Sequence, residues 1–265
     1  MMQTLLHKKA LLTGATGGIG QAIAKQLAAH GTEIVLHYHG PEEAAKSLAG
    51  AITAAGGKAH ILPADLSDAG QAIRLGEEAW TLMNGIDFLI NNAGVSYKKH
   101  FLDTTPEDVD HFININFKGT LWLTQTVAKK MVQSSTEGSI YTITSINGIQ
   151  PGVGLSVYGA TKAALETLMK GIALELAPHN IKVNTIAPGG IATPLNAAVW
   201  QDEALLKTVN ENIPMGRLGQ PEEMAAVICS LLASGSYMTG TTVTIDGGWM
   251  LKHGYARPEK YSTRK

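Results

Sequence analysis

Short apolar runs alternate with helical patterns along most of this chain. Seven runs are candidate strands: Lys9–Thr13, Glu33–His37, Ala59–Pro63, Phe88–Asn91, Ser139–Thr144, Lys182–Ala187 and Thr242–Asp246. Six segments between them place apolar residues at helical spacing: Ile19–His30, Pro41–Ala55, Ala69–Met83, Pro106–Val132, Val157–Ala177 and Pro221–Leu232. Such alternation is typical of a parallel sheet with both faces covered. It predicts an α/β fold, a doubly wound parallel sheet of about seven strands in a single domain, with ligands bound beyond the strands' carboxyl ends.

The composition fits a globular enzyme-sized domain and excludes several other classes of protein. Of 265 residues 45% are hydrophobic, and 21 Lys and Arg against 22 Asp and Glu give a net charge of −1. This balance excludes a disordered chain and lacks the basic excess of a nucleic-acid binder. The one cysteine, Cys229, excludes an intrachain disulfide, and no His, Cys and carboxylate spacing is typical of a metal site. Without a membrane span or signal peptide, we expect a cytoplasmic protein with no metal, membrane or nucleic-acid partner.

The first candidate strand leads directly into a glycine-rich turn, Thr13–Gly20, and then a helix. Gly14 permits a tight turn, Gly18 lets the backbone approach a pyrophosphate, and Gly20 lets the helix pack closely on the strand. The helix N-terminus adds free N–H groups and a partial positive charge. The Gly-x3-Gly-x-Gly spacing predicts nucleotide contacts from Thr13, Gly14, Thr16, Gly18, Ile19 and Gly20. The alternative is a glycine-rich turn without a ligand.

Two further strand ends predict walls of the same nucleotide cleft. Asp65 and Leu66 follow the third strand, where the Asp65 carboxylate would accept from an adenine amino group or, alternatively, cap the helix ahead of Ala69. Asn91–Gly94 ends the fourth strand and suits either a turn or a cleft wall. The wall residues are then Asn92, Ala93 and Gly94.

Tyr158 and Lys162 are spaced i, i+4, which places them on one face of a helix. A nearby ammonium lowers a tyrosine pKa, which is about 10 when unperturbed, and so makes the phenol an acid or base near neutrality. Tyr261 has a lysine at the same spacing, but the position thirteen residues before it is Gly248. Thirteen residues before Tyr158 stands Ser145, at a strand end facing the predicted cleft. This difference favours Tyr158 as the reactive tyrosine.

The motifs together, in this order and spacing, resemble the short-chain dehydrogenase/reductase family. The matching positions are Thr13–Gly20, Asn91–Gly94, Asn116 in Asn116–Gly119, Ser145, Tyr158 with Lys162, Pro188 with Gly189, and Gly240–Gly248. The similarity covers about residues 8–250. It implies a Rossmann-like fold and hydride transfer between a nicotinamide cofactor and a carbonyl or secondary alcohol.

The resemblance also implies a role for each catalytic position. Tyr158 would give or take the proton of the reacting oxygen, and Ser145 would hydrogen-bond that oxygen. Lys162 would lower the Tyr158 pKa and hold the nicotinamide ribose, while Asn116 would hold a water that relays the proton. The alternatives are a helix-breaking Asn116 and an ordinary strand-end Ser145. The remaining cofactor contacts are Tyr38, His39, Pro188, Gly189, Ile191 and Thr193, together with Tyr158 and Lys162.

The substrate wall is expected from Val95–Thr105, Ile146–Val157 and the segment from Ile191. Its amides and hydroxyls suit a polyhydroxylated ligand, which needs donors and acceptors. The predicted substrate contacts are Ser145, Asn147, Gln150, Tyr158 and Asn196.

Two lid segments refine the substrate prediction. Thr193–Asn196 and Ile213–Gly216 resemble the family's glucose and related sugar dehydrogenases, so a sugar or polyol is the first prediction. The 3-oxoacyl-acyl-carrier-protein reductases are nearly as similar, with Lys98, Lys99 and Arg217 either meeting a phosphopantetheine carrier or merely solvated. Outside the enzymes, a catalytically silent nucleotide-binding sensor or scaffold is the alternative.

Two segments lie outside the repeating pattern of the single domain, residues 1–265. Residues 189–217 carry their own helical pattern, Ala204–Asn212, and are predicted to be a substrate lid. The tail 249–265 has a net charge of +4 and the rest of the chain −5, so the tail either reaches an acidic neighbouring subunit or is a loose end. The family is usually tetrameric, which makes Pro106–Val132 and Val157–Ala177 the predicted interface helices of a homotetramer.

The end of the second strand bears on the choice between NAD and NADP. An NAD-preferring fold usually has an acid there, about twenty residues past the glycine motif. Here the strand ends in His37, Tyr38 and His39, and Gly17 replaces the basic residue common in the family's turn. We expect use of both cofactors with a lean to NADP that strengthens toward pH 6, if these histidines donate to a 2′-phosphate. Otherwise His37, His39, His100 and His111 are expected to be surface residues.

Overall fold

The computed structural model describes residues 5–234 and 237–252. Within this part of the chain seven parallel strands form one sheet in the order β3-β2-β1-β4-β5-β6-β7. The strands are β1 (Lys9–Leu12), β2 (Glu33–Tyr38), β3 (Lys58–Pro63), β4 (Phe88–Asn91), β5 (Gly138–Ile143), β6 (Ile181–Pro188) and β7 (Thr242–Ile245). The doubly wound parallel sheet is confirmed, and each strand end lies within one residue of its predicted position.

Helices cover both faces of the sheet. They are α1 (Gly18–Ala29), α2 (Glu42–Ala54), α3 (Ala69–Met83), α4 (Pro106–Phe112), α5 (Thr120–Gln133), α6 (Ser156–Leu176), α7 (Ala197–Trp200), α8 (Glu203–Glu211) and α9 (Pro221–Ser234). Successive strand side chains point to opposite faces. Ala10 and Leu12 of β1 therefore pack with α1, α2 and α9, whereas Leu11 packs with α3, α5 and α6.

The predicted helix Pro106–Val132 is not one continuous α-helix. Between α4 and α5 the backbone forms a π-helical segment, Ile113–Gly119. The wide turn contains the fully buried Asn116, whose side chain hydrogen-bonds with the backbone of Val95 rather than facing solvent. Apolar spacing gives no clear signal for such a local widening, because a π-helical segment is short and rare within a helix.

The strand order reverses direction between β1 and β4. From β1 the chain builds outward to β2 and β3, and from β4 outward to β7. The connections after β1 and β4 therefore leave in opposite directions and open a crevice at the carboxyl edge, the usual ligand site of such sheets.

The excursion between β6 and α9 stands apart from the core. A 3-10 turn (Pro194–Asn196), α7 and α8 follow one another there, and none of the three contributes a buried side chain. α8 corresponds to the predicted pattern Ala204–Asn212 and is capped by Asp202, which accepts from the Leu205 N–H at 3.0 Å.

Part of the predicted basic tail, residues 253–265, lies outside the described residues, as does Tyr261. No helix in the described part of the chain is long and apolar enough to span a bilayer.

Candidate active site

The glycine turn after β1 lies at the crevice, and Gly14 and Gly20 in it leave no room for a side chain. Gly14 has φ +60°, and a Cβ on it would lie 2.9 Å from Ala93 Cα. A Cβ on Gly20 would lie 2.3 Å from the Gly14 carbonyl oxygen. α1 begins without a side-chain cap or an acidic residue in its first turn. Its first N–H groups therefore suit an anionic ligand.

The end of β4 holds the turn in place. The Asn92 side-chain amide donates to the carbonyl oxygens of Thr13 and Gly14, both at 3.0 Å. The Thr13 hydroxyl accepts from the N–H groups of Asn92 and Ala93, both at 2.9 Å. Thr13 thus connects the turn to the end of β4 through hydrogen bonds. It is not among the residues that line the groove described below.

His37 is not the surface residue that the sequence predicts, since it is 2% exposed and lies beneath the turn. Its Nδ1 accepts from the Gly14 N–H at 3.1 Å, and its Nε2 lies 3.0 Å from the Ala64 carbonyl oxygen. Burial lowers the pKa of His37 to about 4, so the ring is neutral at pH 7. With both nitrogens engaged, His37 has no donor for a 2′-phosphate, and only His39 keeps that option.

Tyr38 is also placed differently from its prediction as a cofactor contact. Strand residues alternate between faces, so His37 and His39 face the groove while the Tyr38 ring does not. Tyr38 is 6% exposed, and its hydroxyl hydrogen-bonds with Glu42 of α2. His39 is exposed at the rim.

A groove of about 480 Å³ runs from the glycine turn to the lid. The predicted cofactor residues that line it are Gly14, Thr16, Gly18, Ile19, Gly20, His39, Asp65, Leu66, Asn92, Ala93, Gly94 and Thr193. Six lining residues were not predicted as contacts: Gly17, His37, Val95, Ile115, Pro194 and Leu195. Seven predicted cofactor contacts do not line it: Thr13, Tyr38, Tyr158, Lys162, Pro188, Gly189 and Ile191. The backbone of Ile191 pairs instead with Gly219.

The two interpretations of Asp65 are separated by its neighbour Asp68. Asp68 caps α3, accepting from the N–H groups of Gly70 and Gln71. Asp65 instead accepts from the Ser67 N–H at 2.8 Å, and hydrogen bonds from Ser67 lower the pKa of its carboxyl. Asp65 is therefore not the helix cap, and its ionised carboxylate lines the groove.

Ser145, Tyr158 and Lys162 come together at the carboxyl end of β5. The Tyr158 hydroxyl hydrogen-bonds with the side chains of Ser145 and Ser96. Lys162 Nζ donates to the Ile143 carbonyl oxygen at 3.0 Å and lies 5.9 Å from the centre of the Tyr158 ring. A Cβ on Gly94 would lie 3.2 Å from Lys162 Nζ, so the three side chains adjoin the wall of the nucleotide groove.

Burial controls the charge state of this set. It raises the pKa of Tyr158 above its ordinary value, and the hydrogen bonds with Ser145 and Ser96 only partly oppose the rise. It lowers the pKa of Lys162 to about 8. The expected lowering of the Tyr158 pKa is therefore not found among these protein groups. A protonated phenol beside a cationic lysine is suited to give a proton to a carbonyl oxygen.

The Asn116 side chain, in the π-helical segment, contacts both the groove wall at Val95 and α6 at Thr161. Its Oδ1 accepts from the Val95 N–H at 2.8 Å, and its Nδ2 donates to the Val95 carbonyl oxygen at 3.0 Å and to Thr161 Oγ1 at 3.3 Å. Its Oδ1 also lies beside Gly94, where an added Cβ would approach to 3.0 Å. Asn116 thus adjoins the groove wall and the helix of Tyr158.

Two of the predicted substrate amides are occupied by backbone contacts. Asn147 Oδ1 accepts from the Gly152 N–H at 3.0 Å, and Asn196 Nδ2 donates to the Ile191 carbonyl oxygen at 2.7 Å. Gln150 is exposed. Several large apolar side chains on the same connections are also exposed: Ile149, Val153, Leu195 and Met215.

Two of the three basic residues considered as contacts for a phosphopantetheine carrier, Lys99 and Arg217, are paired with carboxylates. Lys99 Nζ lies 3.3 Å from Asp108, and Arg217 makes two hydrogen bonds to Glu223, at 2.7 and 2.8 Å. Lys98 is exposed. In the described residues, no cluster of three His, Cys, Asp or Glu side chains is arranged to hold a metal ion.

Known proteins resemble the chain along nearly its whole length. A family model described as enoyl-(acyl carrier protein) reductase matches residues 14–250. The chain is 38% identical over 247 residues to the 3-oxoacyl-(acyl-carrier-protein) reductase FabG of Aquifex aeolicus, covering 92% of this chain and 98% of that protein. It is 34% identical over 248 residues to the L-rhamnose 1-dehydrogenase (NAD(P)(+)) of Azotobacter vinelandii, covering 92% and 97%.

Among solved structures, the RhlG/NADP active-site complex of Pseudomonas aeruginosa superposes with a TM-score of 0.88 at 33% identity, covering 94% of this chain and 99% of that one. The sheet order, the glycine turn at the switch point and these similarities agree. The chain belongs to the short-chain dehydrogenase/reductase family, NAD(P)-dependent oxidoreductases that act on CH–OH groups.

Proposed function

We propose that Tyr158 is the proton donor and acceptor of this oxidoreductase, with Ser145, Lys162 and Asn116 supporting it. The observation that carries this is the hydrogen-bonded contact of the Tyr158 and Ser145 hydroxyls next to buried Lys162, at the wall of the groove. In reduction, the phenol gives its proton to the carbonyl oxygen, which Ser145 holds by a hydrogen bond. Lys162 supplies positive charge that stabilises the phenolate left on Tyr158.

The groove fits a nicotinamide dinucleotide. The glycine-rich turn and the uncapped start of α1 suit a pyrophosphate, and the Asp65 carboxylate suits an adenine amino group. When bound, the cofactor supplies or takes the hydride at the substrate carbon. The Asn116 side chain hydrogen-bonds with Val95 in the groove wall and with Thr161 in α6. We propose that Asn116 also holds the water that returns a proton to Tyr158.

We infer that both NAD and NADP are used, with a modest lean to NADP. In the described residues no carboxylate stands at the carboxyl end of β2, where His37 and the following His39 line the groove, and Glu33 at the amino end pairs with His60. Glu42 and Glu43 in α2 form ion pairs with Lys46. A 2′-phosphate therefore meets no repelling acid there, and His39 is the one strand-end donor we assign to it.

For the substrate, a sugar or polyol remains the first proposal. It rests on the similarity to a rhamnose dehydrogenase and on the exposed Gln150, which lies on the connection from Ser145 to α6. The 3-oxoacyl thioester is the second candidate, favoured by the exposed Ile149, Val153 and Leu195 and by the similarity to FabG. A spectrophotometric screen of sugars, polyols, 3-oxoacyl esters and simple ketones with both cofactors separates the two.

We propose that residues 189–217 act as a lid and that the molecule is a homotetramer. The 3-10 turn, α7 and α8 of this segment bury none of their own side chains, while Thr193, Pro194 and Leu195 line the groove. Closure over bound ligands would cover the exposed apolar side chains of this segment.

The catalytic assignment is tested with Tyr158→Phe. This variant loses only the phenolic proton, so turnover of the best substrate falls by about 10²–10⁴-fold while cofactor binding persists. Ser145→Ala lowers turnover too, because a hydrogen bond to the developing charge is lost. Tyr261→Phe, with the same spacing to a lysine, is the control and keeps full activity. Near-normal turnover by Tyr158→Phe would contradict the assignment.

A further inference from the structure

We propose that His37 is a positioning residue that holds the phosphate-binding turn in its cofactor-competent conformation. The inference rests on the proposed cofactor site and adds to it a residue whose two ring nitrogens are both engaged within the protein. Two successive N–H groups of the turn donate hydrogen bonds to His37. Gly14 N–H donates to the ring Nδ1 at 3.1 Å, and Ala15 N–H donates to the His37 carbonyl oxygen at 2.9 Å.

The geometry allows one arrangement of the ring proton. The Ala64 carbonyl oxygen can only accept, so His37 Nε2, 3.0 Å away, carries the hydrogen. Nδ1 is then free to accept from Gly14 N–H. Since the side chain is 2% exposed, no solvent water replaces either partner. His37 thus ties the turn to the end of β3, one residue before the groove residue Asp65.

His37 and Asn92 hold opposite polar groups of the turn. Asn92, from β4, donates to the carbonyl oxygens of Thr13 and Gly14, whereas His37, from β2, accepts from the N–H groups of Gly14 and Ala15. The positive φ of Gly14 is therefore fixed from both sides of the switch point. The turn is then already ordered before the cofactor binds, so the binding free energy is not reduced by the cost of ordering the turn.

Without the Nδ1 acceptor, the Gly14 N–H is buried and unpaired, and the turn populates other conformations to satisfy it. The apparent cofactor Kd then equals the intrinsic Kd divided by the fraction of molecules that keep the competent turn. We expect the cofactor Kd to rise about tenfold, the equivalent of one net hydrogen bond. Turnover at saturating cofactor stays within about threefold, because His37 does not touch the reacting atoms.

Three substitutions separate the contact with Gly14 from the contact with Ala64. His37→Asn places an amide oxygen near the position of Nδ1 and keeps an acceptor for Gly14. His37→Gln extends an amide toward the position of Nε2 and keeps a donor for Ala64. His37→Phe keeps ring volume and removes both. NADPH Kd is measured by cofactor fluorescence without substrate, beside the Tm of each free protein and the split between kcat and the cofactor KM.

We expect His37→Phe and His37→Gln to bind NADPH about tenfold more weakly and His37→Asn to recover most of that loss. The matched control is His60→Phe on the neighbouring strand, where the ring is 36% exposed and pairs with Glu33. It leaves the Kd unchanged. Equal Kd values for wild type and His37→Phe, or equal weakening by Asn and Gln, would overturn the role of His37. A wild-type protein that binds neither NADPH nor NADH would overturn the proposed cofactor site itself.

Discussion

At the residue scale, the lowered pKa of Lys162 predicts the pH range of the proposed proton transfer. Burial lowers it to about 8, so the ammonium is charged below that pH and neutral above it. The pKa of Tyr158 is raised above its usual value of about 10 and does not limit the rate in the same range. The loss of charge on Lys162 removes the stabilisation of a developing phenolate.

We therefore expect kcat/KM for carbonyl reduction to fall as pH rises through about 8. Rates at pH 6–10 with saturating cofactor check this, with cofactor Kd measured across the same range as the control. A flat profile to pH 10 would show that the charge of Lys162 is not needed for the proton transfer.

The proposed cofactor choice can also be tested at a single residue, and His39 is the position to change because it lines the groove whereas Tyr38 does not. The Tyr38 side chain faces Glu42 rather than the groove, so a carboxylate at position 38 would be misplaced. An acid at position 39 stands on the groove face and repels a 2′-phosphate while accepting from a 2′-hydroxyl.

His39→Asp should therefore shift preference toward NAD by about tenfold or more. The measurement is kcat/KM with NAD and NADP at pH 6 and pH 8, in both the variant and the wild type. Tyr38→Asp serves as the comparison and should change stability more than selectivity. Strict NAD dependence of the wild type would contradict the proposed use of both cofactors.

At the element scale, the π-helical segment Ile113–Gly119 packs closely against the connection between β3 and α3. A Cβ on Gly119 would lie 2.3 Å from the Leu66 carbonyl oxygen, a backbone atom that has little freedom to move. Gly171 in α6 is also helical, but a Cβ there meets nothing within 4 Å.

Gly119→Ala should lower the free energy of unfolding by about 1–3 kcal/mol through overpacking. Because alanine favours a helix over glycine, Gly171→Ala should leave it equal or raise it by up to about 1 kcal/mol. Urea denaturation of both variants provides the comparison. Equal effects would mean that the close approach at Leu66 relaxes without cost.

At the scale of the whole molecule, the proposed tetramer makes a measurable prediction about mass. Four chains of 28.0 kDa should sediment together at micromolar concentration. Leu174 on α6 is 80% exposed in the single chain and lies on one of the proposed interface helices. Leu174→Glu should weaken assembly because it charges an apolar contact, whereas Leu82→Glu on α3 should not. A wild-type monomer in sedimentation would contradict the tetramer.

The order of elements and the location of the site followed from the sequence by itself. Apolar runs, helical spacing and the glycine turn Thr13–Gly20 are local signals, and parallel topology then brings the strand ends to one edge. Ser145, Tyr158 and Lys162 could be singled out because a strand end and one helix face limit where their side chains point.

The tertiary structure decided which neighbour each polar group meets. His37 is buried because the glycine turn folds over the end of β2, and Tyr38 turns away because strand residues alternate. Asn147 and Asn196 are occupied by nearby loop backbone, and Asp68 rather than Asp65 caps α3. A hydrogen-bonding side chain has several possible partners in an unfolded chain. Only packing, which removes water from some of these groups and brings particular partners within about 3 Å, selects among them.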